Sequence, residues 1–124
     1  MDRLDEIIDE AVSSGYFPMN HWKRKDIKYS DFRWITFVND ERKLPYQGYK
    51  LHISARPSSA KQVLKNVIPV LSKELAAFKV VGRISDLINL LNGKCGISQI
   101  GKFITIYPYD DFHAVRLGIE LDKF

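Results

Sequence analysis

The sequence predicts one layered α+β or α/β domain, with a mixed sheet of about four strands packed against helices. Three observations carry this expectation. Segments of helical and strand periodicity follow one another as helix, strand, strand, helix, strand, helix, strand, helix. The strand-like segments are short and rich in β-branched and aromatic residues. A chain of 124 residues, 45% apolar, supports a single core and is too short for two. No repeat or low-complexity linker divides residues 1–124, so they are expected to form one domain.

Leu4, Ile7, Ile8, Ala11 and Val12 recur at helical spacing until Gly15 stops the pattern. Residues 16–31 read as an aromatic-rich loop. Arg33–Val38 reads as a strand, Asn39–Gln47 as a polar connection containing Pro45, and Gly48–Ser54 as a second strand. Pro57-Ser58-Ser59 signals a helix start with serine as the cap candidate. The apolar period then continues through Val63, Leu64, Val67, Leu71 and Leu75, and Pro69 is expected to kink or split that helix. Ala77–Val81 is a short strand. Ser85-Asp86 opens a helix that Asn92-Gly93 stops, and residues 93–101, with three glycines, form a loop. Lys102–Tyr107 alternates as a strand ended by Pro108. Asp110-Asp111 caps a last helix with Phe112, Val115 and Ile119 along one side.

Composition excludes several classes. No run of 18 apolar residues offers a membrane span, and the charged N-terminus has no signal-peptide core. The single cysteine, Cys95, precludes an internal disulfide and a cysteine metal cluster. A cytoplasmic protein with no membrane partner is the expectation. His21 and His113 read as surface or interface histidines outside any metal-ligand spacing. The aromatic-basic stretch Tyr16–Lys28 suits core packing with exposed charged ends better than stacking on bases, so no nucleic-acid partner is expected. The net charge of +4 is unevenly spread. Lys50 to Lys102 holds nine lysines and arginines plus His52 against two acids, which makes this region the place for an anion.

Within that region Lys50 and His52 lie two residues apart. On a strand they share one face, about 7 Å apart along the backbone, while Tyr49, Leu51 and Ile53 share the other. An amine and an imidazole so placed can remove one proton and deliver another. A solvated outer face is the plainer reading. Lys79 and Lys102 are also borne by strands. If those strands are neighbours, the amines converge beside His52, and a phosphate would relieve their repulsion. The plainer reading there is edge lysines that discourage aggregation. The Gly93–Gly101 segment lacks the Gly-Lys-Ser/Thr ending of a P-loop and leads into a strand, so it reads as a connection.

Three ordered blocks carry a resemblance: Leu44-Pro45-Tyr46-Gln47-Gly48-Tyr49-Lys50-Leu51-His52-Ile53-Ser54-Ala55, Ala76-Ala77-Phe78-Lys79, and Gly101-Lys102-Phe103-Ile104-Thr105-Ile106-Tyr107-Pro108. Together they resemble the N-terminal lyase domain of class III lanthipeptide synthetases, itself similar to effector phosphothreonine lyases. The resemblance runs from about Trp34 onward, leaving the helix and loop of residues 1–33 outside it.

The resemblance implies a phosphoserine/phosphothreonine lyase. Such an enzyme eliminates phosphate from a ribosomal precursor peptide to leave dehydroalanine or dehydrobutyrine. It implies Lys50 as the base for the Cα proton and His52 as the acid for the departing phosphate. Lys79, Lys102 and, as the assisting arginine, Arg42 would bind the phosphate. No metal or other cofactor is implied. The partners implied are the phosphorylated peptide and kinase and cyclase domains, in cis or in trans. Two departures stand out: the segment before Gly101 lacks the family's arginine, and Ala77 stands where the effector lyases carry tyrosine. A further arginine-containing segment is also expected beyond Phe124. The chain therefore reads as a fragment, a reduced lyase, or a phosphopeptide-binding or partner-docking domain that has lost turnover.

Overall fold

The computed structural model of the chain describes residues 2–29, 32–40, 48, 50–93 and 102–122. The elements are α1 (Asp5–Ser13), β1 (Trp22–Tyr29), β2 (Phe32–Asn39), β3 (Leu51–Ile53), α2 (Ala60–Lys73), β4 (Ala77–Val81), α3 (Ile84–Leu91), β5 (Ile104–Tyr107) and α4 (Asp111–Leu121). The strands form one sheet in the order β1-β2-β4-β5-β3. The fold is α+β, one of the two classes the sequence predicts. The sheet has five strands, however, and every ladder is antiparallel where a mixed sheet was expected.

The additional strand is β1, in a segment read as loop. It lacks clean alternation because it lies at the sheet edge, where charged side chains are tolerated on both faces. Arg24 and Asp26 occupy the helix-facing side, and Arg24 bonds both Asp26 and Asp9 of α1. Its aromatic lead-in, Phe17 and Trp22, is buried.

The face carrying Phe37, Phe78 and Ile53 is covered by helices. Phe78 stacks on Phe37 with a 5.3 Å centroid separation, and Phe17 from the α1–β1 connection touches both rings. Ile8 of α1, Leu64 and Leu71 of α2, and Leu117 of α4 complete this core without solvent exposure. Gly15 ends α1 at φ +99°, a conformation that costs glycine little. Leu75 adopts the same left-handed region (φ +55°) after α2, and the Ala76 N–H bonds the Leu71 carbonyl, so that stop has no glycine signature.

Several local expectations are corrected. Pro69 does not split α2, which runs unbroken from Ala60 to Lys73 with Leu64, Val67, Ile68 and Leu71 buried along one face. Ser59 precedes it without a side-chain cap, and its hydroxyl donates instead to the Arg56 carbonyl. Asp110 does cap α4, accepting from the His113 N–H at 2.7 Å. Phe112, Val115 and Ile119 nevertheless face outward, 84%, 64% and 60% exposed, while His113 and Leu117 face the core. His113 is thus no surface histidine. It stacks on Tyr109, accepts from the Tyr109 N–H through Nδ1, and lies beside Glu74. The strand expected over Gly48–Ser54 is confined to Leu51–Ile53 among the described residues.

Candidate active site

The ladder registers generate the site. His52 pairs with Thr105, Thr105 with Lys79, Lys79 with Thr36, and Thr36 with Lys25. Directly opposed residues share a face, so these five side chains form one polar row across the whole sheet. The row lies on the side opposite Phe37, Phe78 and Ile53, because successive strand residues alternate. Lys50 precedes β3 by one residue. Its Nζ lies 5.8 Å from the centroid of the Tyr107 ring, on the same side as His52.

His52 Nδ1 stands 3.3 Å from the hydroxyl of Thr105, which is 2% exposed. That contact engages Nδ1 and leaves Nε2 to meet a ligand. Partial burial holds the His52 imidazole below its ordinary value. The ammonium groups of Lys102, Lys50 and Lys79 add to that effect, in this order. Lys79 is half-buried, with Nζ 4.5 Å from the Trp34 ring centroid. Desolvation, then Lys50 and Lys102, lowers its ammonium pKa below the usual lysine range. The sequence-derived residues Lys50, His52, Lys79 and Lys102 are therefore electrostatic neighbours. Arg42 lies outside the described residues, as do Cys95 and the connection around it.

Three contributors were not singled out from sequence. Thr105 orients His52, and Trp34 and Tyr107 hold the amines of Lys79 and Lys50 over their rings. Their only sequence signal is position in an alternating strand, on the face opposite the core residues. Among the described residues, no three His, Cys, Asp or Glu side chains gather as metal ligands would. A hollow of about 280 Å³ between α1 and α2, lined by Ile7, Ala11, Tyr16, Ile68 and Pro69, lies on the helix-covered side and includes none of the clustered cations.

Converging amines with unneutralised charge repel one another unless an anion joins them. Lysines and an imidazole in such a row have the chemistry to bind a compact anion and to exchange protons. Fold and site together define a small α+β domain that presents a cluster of lysines and a histidine on one sheet face. The chain belongs to the RamC N-terminal domain family, which matches residues 16–124. It is also 34% identical over 91 residues to a Streptomyces coelicolor protein named "Probable SapB synthase". That alignment covers 73% of this chain and 10% of the relative, so the chain spans about a tenth of that protein. Among the described residues, no helix is long and apolar enough to cross a membrane.

Proposed function

We propose that this domain is a phosphoserine/phosphothreonine lyase acting on a ribosomal precursor peptide in lanthipeptide maturation. The observation that carries the reading is the placement of Lys50, His52 and Lys79 on one sheet face, with Lys102 close enough to act on His52 and Lys79. The family membership and the named synthase relative support the biosynthetic setting.

In the proposed reaction an unprotonated amine takes the Cα proton. The electron pair of that bond forms the Cα=Cβ bond as the Cβ–O bond breaks. The phosphate leaves with the C–O pair, and the His52 imidazolium protonates its bridging oxygen. The lysine is left protonated and the histidine neutral, and solvent restores both. Fixed cations stabilise the enolate-like charge and the leaving group as they develop.

The resemblance assigns the proton acceptor to Lys50. Burial favours Lys79 for the same task. A base must be partly unprotonated near neutral pH, and the Lys79 ammonium is destabilised by desolvation and by its neighbours. Lys50 and Lys102 then neutralise the phosphate and the enolate oxygen. Burial and then the same cations disfavour the charged form of His52, and a bound phosphate dianion would offset the cations and favour its proton again. The acid is thereby armed by its own substrate.

Incubation with phosphoserine and phosphothreonine peptides, followed by mass spectrometry, tests the reading. Loss of phosphoric acid that disappears in Lys79→Met and His52→Asn is the expected result. Binding without any mass change favours the second reading, a phosphopeptide-docking domain, for which the cation cluster suffices without proton transfer.

A further inference from the structure

The polar row does not end at the cation cluster. From Lys79 it continues through Thr36 of β2 to Lys25 of β1. Lys25 is exposed and stands on the same face as His52 and Lys79. Lys23, two residues earlier on that face, is 78% exposed at its side chain and reaches Asp40 only at 3.9 Å. The acid of this strand is turned away. Asp26 lies on the helix side, where it is bonded to Arg24. The far end of the row therefore presents positive charge toward the side on which the phosphate would bind.

Adjacent strands lie about 4.8 Å apart, so Lys25, two strands from Lys79, is about 10 Å along the row. An extended peptide advances about 3.3 Å per residue. A peptide laid across the strands with its phosphorylated residue at Lys79 therefore brings its third residue, on one side, over Lys25. We propose that Lys25, flanked by Lys23, is a specificity-determining contact that selects phosphopeptides bearing an aspartate or glutamate about three residues from the phosphorylated position. The inference rests on the phosphopeptide reading above and adds the chemistry of the flanking sequence. A lysine that only guarded the sheet edge would act on solubility and leave peptide choice unchanged.

The test uses phosphoserine peptides that differ only at the third residue before or after the phosphoserine, with Asp, Asn or Lys there. Elimination is read as kcat/KM, and binding is measured with the His52→Asn protein. At one of the two positions, Asp should exceed Asn by up to about fivefold, the range of an exposed ion pair, and Lys should fall below Asn. Lys25→Gln should flatten that order and Lys25→Glu should reverse it, and added salt should shrink the differences. Equal handling of all peptides by the wild type, or an order unchanged in both Lys25 variants, overturns the inference while leaving the lyase reading intact. Failure to bind or convert any phosphopeptide overturns both.

Discussion

His52 and Lys79 flank Thr105 from its two neighbouring strands, each paired directly with it across a ladder. They are 27 residues apart in sequence, yet the antiparallel register leaves one residue between them in space. Thr105 meets the His52 ring, whose pKa is lowered by burial first and then by Lys102, Lys50 and Lys79. Imidazole and amine are thus coupled through the geometry of one sheet.

That coupling predicts how His52 titrates. In the free protein its ring should lose its proton below the ordinary value of about 6.5. Inorganic phosphate or a phosphoserine peptide should move the midpoint up, and Lys102→Ala should move it up without ligand. Ring-proton NMR against pH checks each outcome. A midpoint unmoved by phosphate would remove the electrostatic basis of the acid assignment.

Lys79 and Lys50 should differ in rate. If Lys79 is the acceptor, Lys79→Met should lower elimination by about 10²- to 10⁴-fold, the usual contribution of general acid–base catalysis. Lys50→Met should weaken phosphopeptide binding as well as turnover. Lys79→Met should leave stability unchanged or improved, since it deletes a partly desolvated cation held beside other cations. Single-turnover mass spectrometry and urea melts separate the two effects.

Acidification should destabilise the domain as the pH falls through and below the ordinary histidine value of about 6.5. His52 and His113 are both held below their ordinary value, His113 first by burial and then by Arg116, against a smaller opposing pull from Glu74 and Asp110. Between the folded value and the ordinary one, the unfolded chain binds more protons than the folded chain, so stability rises with pH across this window and falls as it is acidified. His113→Gln should flatten the dependence of the urea midpoint on pH.

The orientation of α4 can be tested by stability alone. Phe112→Ser removes a ring that is 84% exposed and should shift the unfolding free energy by no more than about 0.5 kcal/mol. Leu117→Ala, at a fully buried site on the same helix, should cost about 2–5 kcal/mol. The central-strand substitution Phe78→Ala, which strips contacts from Phe17 and Phe37, should cost about 3–5 kcal/mol. Denaturant unfolding of the three variants gives the comparison.

The amino-acid sequence by itself determined a layered domain of helices and strands, α1 with its Gly15 stop, β4, the Asp110 cap of α4, and the placement of Lys50 and His52 on one side of their segment; it left α+β and α/β open, and the antiparallel pairing decided between them. These follow from local rules: side-chain period, capping chemistry and the handedness that glycine permits. It could not show β1, because an edge strand needs no alternating pattern and Arg24 and Asp26 find partners only once α1 is in place. Nor could it tell which side of α4 is buried, since the apolar stripe of Phe112, Val115 and Ile119 competes with Leu117 and a buried histidine, and packing against α2 decides. The cation cluster itself was decided by tertiary structure. Lys50, Lys79 and Lys102 become neighbours because β4 and β5 pair antiparallel and β3 joins β5 in one particular register, a choice made by the apolar residues on the opposite face.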